Sequence, residues 1–144
     1  MAKVIAQDIE DLGFIAAMFK KDDTAFGVFL AAIISEQSTL LQGRIGASNY
    51  NDVNSPVKDY AKGAEKCLVA ADLVQRRITI LLGNAQGVGQ ELGTSEARAQ
   101  MKAYSDQGEA LIAKILSGAS TGSGSDIEVG TLVSDHFSRS HYCA

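Results

Sequence analysis

A chain of 144 residues and 15.2 kDa has room for one domain and hardly for two. Thirteen Lys and Arg stand against seventeen Asp and Glu, so the net charge is −4 and no global basic field draws the chain to nucleic acid or to an anionic membrane. Two His, two Cys and no Trp make a thin catalytic alphabet, which argues against a metalloenzyme, a disulfide scaffold and a DNA reader. Fourteen glycines against one proline leave the punctuation of the chain almost wholly to glycine.

The start of the chain meets Asp8, Glu10 and Asp11 too early for a secretory signal. The longest uncharged apolar run, Ala25 to Ile34, is about half the roughly 20 residues that a spanning helix needs. The expectation is a soluble chain in a reducing compartment, without membrane contact, in which Cys67 is a buried neutral thiol.

From Asp8, the apolar residues Ile9, Leu12, Ile15, Ala16 and Phe19 recur at spacings of three and four. This predicts a one-sided helix of about three turns, weakened by Gly13. Lys20-Lys21-Asp22-Asp23-Thr24 is a charged break, with Asp23 or Thr24 as the cap of the next helix. That second helix carries Phe26, Phe29, Leu30, Ile33, Ile34, Gln37, Leu40, Leu41 and Ile45, a stripe broad enough for burial on more than one side. Gly46 is its natural stop. The polar stretch from Ala47 to Ser55 is expected as a loop.

Ser55-Pro56 should open a third helix, with serine at the cap and proline at the first position, running to about Leu82. One face holds Val57, Tyr60, Ala61, Ala64, Cys67, Leu68, Ala71, Val74 and Ile78. Its alanines make it thin enough for another helix to come close. Asp72 and Arg76 form a favourable i, i+4 pair. Gly83, Gly87, Gly89 and Gly93 define a second loop, after which Thr94 or Ser95 caps a fourth helix with Ala97, Met101, Tyr104, Leu111, Ile112, Ile115 and Leu116, ended by Gly118. Ser117 to Ser125 has the composition of a flexible linker, and Ile127, Val129, Thr131 and Val133 then alternate like a strand. The fold class expected is all-α: a four-helix bundle-like domain over residues 1–117, then a Gly/Ser linker and an extended strand-like C-terminal arm over 118–144. A lone strand needs a partner for its backbone groups.

Candidate chemistry is sparse. Gly83-Asn84-Ala85-Gln86-Gly87-Val88-Gly89 lacks both the Gly-Lys-Ser/Thr ending of a phosphate loop and a preceding strand, so an interhelical loop is preferred. Asp135, His136, His141 and Cys143 are metal-capable types within nine residues, but their spacing matches no zinc pattern, and a solvated or interface-buried tail is preferred. Asp8, Glu10 and Asp11 are better explained by the positive pole of a helix than as paired catalytic carboxylates. Arg44, Arg76, Arg77 and Arg98, spread over three helices, are expected in solvent or in ion pairs. No catalytic residue, cofactor or metal is expected, and the chain is not expected to be an enzyme.

The order of elements, with Gln42-Gly43-Arg44-Ile45-Gly46, the Tyr50 loop and the proline-started helix from Tyr60 through Ala64-Glu65 to Leu73 and Arg76-Arg77, resembles the small helical head–tail connector (adaptor, neck) proteins of long-tailed bacteriophages. The resemblance covers about residues 6 to 82. It implies a structural virion protein at the head–tail junction, made in the host cytoplasm. It would form a ring, commonly of twelve copies, between the capsid portal protein and a downstream neck or tail-completion protein. DNA would pass through its lumen without sequence-specific binding. It also implies a C-terminal arm reaching a neighbour or the portal. Strand addition would suit Ile127, Val129, Thr131 and Val133, with Phe137 and Tyr142 as further contacts. A small cytosolic helical binding or regulatory module with a flexible tail is the alternative.

Overall fold

A computed structural model of the chain describes residues 1–83 and 88–118, the side chains of 88–92 excepted. All regular structure among these residues is helical: α1 (Ala6–Glu10), a 3-10 turn (Ala16–Phe19), α2 (Asp23–Ile45), α3 (Ala47–Tyr50), α4 (Val57–Gly83) and α5 (Val88–Gly118). The expected helical class is therefore observed. The Gly/Ser linker, the strand-like arm and its residues Ile127, Val129, Thr131, Val133, Phe137 and Tyr142 lie outside the described residues.

The N-terminal segment differs from expectation. In place of one helix of three turns there is a single turn, α1, and a separate 3-10 turn. Between them Gly13 adopts φ +94 with no atom within 4 Å of where a Cβ would sit, so it serves the backbone conformation and not a close approach. Breaking the helix there lets Ile9, Phe14 and Phe19 all face the core, each at most 4% exposed. The Asp8 carboxylate accepts from the Ile5 amide at 3.0 Å and pairs with Lys62 of α4 at 3.1 Å, which pins α1 to the bundle.

The N-cap of α2 is Asp22, one residue before the expected Asp23; its carboxylate accepts from the Ala25 amide at 2.7 Å. The helix ends at Gly46, φ +84, as expected. The stretch read as loop contains the one-turn α3, whose Tyr50 is 1% exposed. In α4, helical geometry begins at Val57, after proline, and the Ser55 hydroxyl donates to the Asp59 carboxylate at 2.5 Å. The α5 helix starts at Val88, before the expected Thr94 or Ser95 cap, so it runs through Gly89 and Gly93. Thr94 is thus within the helix and 4% exposed. Each helical glycine costs about 1 kcal/mol relative to alanine, a cost that the burial of residues such as Ala97 and Tyr104 can exceed.

Three long helices form the body. The start of α2 lies by the end of α4, with Arg76 over the Phe29 ring at 5.5 Å, and its end packs Leu41 and Ile45 with Tyr60, Ala61 and Ala64. The two helices are therefore antiparallel. The α5 helix is antiparallel to α4 in turn: its first turns lie by Arg77 and Leu81, and Leu111 and Ile115 near its end pack with Tyr60 and Ala61. Between these ends, a Cβ added at Gly108 would lie 3.4 Å from Cys67 Cβ and 3.8 Å from the Ala64 carbonyl oxygen. The expected Asp72–Arg76 pair forms at 3.1 Å. The core divides into a larger cluster containing Phe14, Phe19, Phe26, Leu30, Leu73 and Tyr104, and a smaller one at the opposite end containing Leu41, Tyr50, Leu111 and Ile115.

Cys67 corrects a further expectation. It is wholly buried, as its helical position required, but it is disulfide-bonded and not a free thiol. Periodicity places a cysteine in a core and carries no information about a partner distant in the chain. The free-thiol argument for a reducing compartment is thereby removed. Cys143, the other cysteine of the sequence, lies outside the described residues.

Gly108 generates a clear test. Gly108→Leu is expected to force α4 and α5 apart and to cost about 1–3 kcal/mol of unfolding free energy, whereas Gly27→Ala, at an open helical position, should stabilise by up to about 1 kcal/mol. Urea unfolding of both variants checks the contrast.

Candidate interaction surface

The most concentrated polar network is buried at Glu65, which is 0% exposed. Helix α4 points this carboxylate toward the N-terminal segment. One oxygen accepts from the Lys3 and Val4 amides at 3.0 and 3.1 Å. The other accepts from the Tyr50 hydroxyl at 2.6 Å. Burial, then the hydrogen bond to Glu65 and its charge, push the Tyr50 hydroxyl well above its ordinary value of 10.0. The Lys3 ammonium lies 5.2 Å from the centre of the Tyr50 ring. Every partner of the carboxylate is a structural group, and the network joins the first residues, α3 and α4. It acts as an anchor.

The outer side of α2 has a different character. Only Asp23, Glu36 and Arg44 are charged among its 23 residues. By length and composition alone the helix could cross a membrane, a property shared by core helices of soluble proteins. Yet only 28% of its most apolar 18-residue stretch is buried. Its inner side, with Phe26, Leu30, Ile33, Ile34, Leu41 and Ile45, packs into the core. Its outer side leaves Val28 70% and Leu40 52% exposed. Gly27 and Gly43 have no atom within 4 Å of a built Cβ. The Ser38 and Thr39 hydroxyls both donate to the Ser35 carbonyl at 2.9 Å, so these two are engaged within the helix, while Glu36 lies 3.9 Å from Arg76 of α4. A face with little charge and with large apolar side chains in the open is suited to covering by another surface.

At the end of this face Arg44 makes a bidentate pair with Glu109 of α5, at 2.8 and 2.6 Å. The hydrogen bond to Glu109 holds the guanidinium above its ordinary value, and the same bond holds the Glu109 carboxyl below its own. Both side chains are about half exposed, so the pair contributes no more than about 1 kcal/mol. The sequence placed the arginines in solvent or in ion pairs; Arg44 pairs with Glu109 and Arg76 with the expected Asp72.

Clefts elsewhere offer little chemistry. One of about 380 Å³ is lined by Glu10, Phe14, Ile15, Ala16, Asp23 and Phe26. Another, of about 540 Å³, lies between the end of α4 and the start of α5, with Arg77, Leu81, Glu96 and Ala97 in its wall. Neither set of lining residues pairs a nucleophile with a base. Among the described residues no three His, Cys, Asp or Glu are grouped to hold a metal ion. His136, His141 and Cys143 lie outside them. Asp8 accepts from the Ile5 amide at the start of α1 and pairs with Lys62.

Two outcomes are expected for the anchor. Tyr50→Phe should cost about 1.5–3 kcal/mol, and Glu65→Ala more than about 3 kcal/mol, because the alanine leaves several buried donors without an acceptor. The pH dependence follows from the raised Tyr50 value. A hydroxyl whose folded value exceeds its unfolded value stabilises fully below about pH 10, and that contribution is lost as pH rises further. Chemical denaturation from pH 8 upward should show wild type losing stability above pH 10 more steeply than Tyr50→Phe.

No family model, curated protein or solved structure matches the chain.

Proposed function

We propose that the protein is a structural assembly component, a helical head that works by packing against further protein surfaces. The observation that supports this is the outer side of α2, which carries few charges and leaves Val28 70% and Leu40 52% exposed. The specific form proposed follows the resemblance to head–tail connectors. In that form the protein is a ring of about twelve copies at the virion's head–tail junction, between the portal protein and a downstream neck or tail-completion protein, with DNA passing through its lumen. The bundle, with its N-terminal segment laid across the long helices as a fourth element, forms the head. The C-terminal arm, through Ile127, Val129, Thr131 and Val133 with Phe137 and Tyr142, binds a neighbour or the portal by strand addition. A net charge of −4 suits a channel wall that lets DNA slide, since attraction to phosphate grows with each neutralising Lys or Arg. The proposal includes no catalytic step and no cofactor.

Electron images of the full-length chain mixed with portal rings test it. A closed ring with a DNA-sized hole, seated on the portal, is the expected outcome; a chain that leaves the portal rings bare overturns the connector form. Removing residues 118–144 is expected to leave the helical circular-dichroism signal of the head in place while abolishing docking. A truncated chain that still docked normally would sink the role given to the arm.

A further inference from the structure

Cys67 brings into the helical head a bond that the described residues do not complete. It is disulfide-bonded and 0% exposed, and it is the only cysteine among residues 1–118. The other cysteine of the sequence is Cys143, in the segment 119–144 that follows α5. Cys67 stands at the α4–α5 seam, where a Cβ built on Gly108 would lie 3.4 Å from its own Cβ. Gly63 and Ala71, one turn to either side of it on α4, are buried too. No large side chain on that row stands in the way of a second segment of chain.

The end of the chain has the reach to come back to this seam. Helix α5 ends at Gly118, about 15 Å along its axis from Gly108. The stretch from Gly118 to Cys143 can span about 80 Å when extended, several times what is needed. Residues 119–125 are alanine, serine, threonine and glycine only, a composition that lets a chain turn back. A second Cys67 is excluded as the partner. Two sulfurs that are each 0% exposed cannot come within bonding distance unless both seams open. The chain's own Cys143 is favoured over that of another copy, because tethering keeps it at an effective concentration of about 1 mM or more. We propose that Cys67 is bonded to Cys143 of the same chain, and that this bond latches the C-terminal arm to the α4–α5 seam until a dithiol reductant opens it. On opening, the dithiol gives up two electrons and two protons, each cysteine sulfur takes one of each, and the dithiol leaves as its own disulfide. While the bond holds, Ile127, Val129, Thr131 and Val133 belong to a closed loop from 67 to 143; once it opens, they are free to add to another surface. That consequence for docking rests on the reading of the arm as a docking segment, and the bond itself does not.

The test uses the full chain, purified without reductant. Its intact mass is expected to be two hydrogens below that of the reduced chain. Trypsin without reduction should yield the peptide that follows Lys66 joined to the peptide that follows Arg139, a species that dithiothreitol splits. A free Cys67, or Cys67 linked to Cys67, overturns the bond; the expected link found only in covalent dimers on a non-reducing gel overturns its intrachain form. In sedimentation velocity, wild type is expected to run faster than Cys143→Ser and to slow to match it when reduced. Identical coefficients overturn the latch. Thiol exchange needs access to a sulfur, and Cys67 is 0% exposed, so dithiothreitol should open the bond more slowly in the native chain than in urea. Equal rates overturn its placement in the seam. Mixed with portal rings, the oxidised chain is expected to leave them bare, while the reduced chain and Cys143→Ser dock. Docking by the oxidised chain overturns the latch as a control on docking. Docking in no state overturns the connector reading alone, since peptide mapping and sedimentation decide the bond without it.

Discussion

A Cβ at Gly108 of α5 would already lie at van der Waals distance from Ala64, Cys67 and Leu68 of α4, and the rest of the molecule is arranged around that seam. A helix pair can approach so closely only where the facing residues are small. Helix α4 supplies the small residues, with Ala61, Ala64, Ala70 and Cys67 all at 0% exposure. Because α4 is covered by α5 on one side, by α2 on another and by the N-terminal segment on a third, its middle is removed from water. That is what gives the Glu65 carboxylate its effect: in such surroundings it must be met by donors, and the Lys3 and Val4 amides and the Tyr50 hydroxyl meet it. Packing along α4 therefore decides where the chain begins and where α3 sits.

Helix α2 stands in contrast. Its inner residues bind it to the same core, but nothing among the described residues covers Val28, Leu40, Gly27 or Gly43. Two functions are combined in one helix: a side that holds the fold and a side that is free to meet another surface. The outer faces of α4 and α5 are more charged, with Lys58, Asp59 and Lys62 on one and Glu96, Arg98, Lys102, Asp106 and Glu109 on the other exposed to solvent. The difference in charge separates the face suited to assembly from the faces suited to water.

Much of this was legible in the residues. The apolar spacing in 57–82 marks α4 to within a residue at its end, Gly46 marks the stop of α2, and Asp72–Arg76 follows from helical spacing alone. At the N-terminus Ile9, Leu12, Ile15 and Phe19 fit a single helical stripe, while the positive φ at Gly13 is a tertiary choice that turns Phe14 inward too. A cluster of glycines normally ends helices, and at the start of α5 packing of the following turns outweighs that tendency. The Glu65 anchor leaves the faintest trace in the sequence. A glutamate on an apolar arc of α4, between Ala61, Ala64 and Cys67, is the one available signal, and only the arrival of the first residues explains it.

By itself the sequence determined the helical class and the three long helices, because these depend on local spacing and composition. Tertiary structure alone decided that α2 is buried on one side only, with Leu40 of its apolar stripe left 52% exposed, that the N-terminal helix breaks, and that Glu65 is an anchor. Those outcomes depend on contacts between residues tens of positions apart, such as the 62 that separate Lys3 from Glu65, and local periodicity does not encode them.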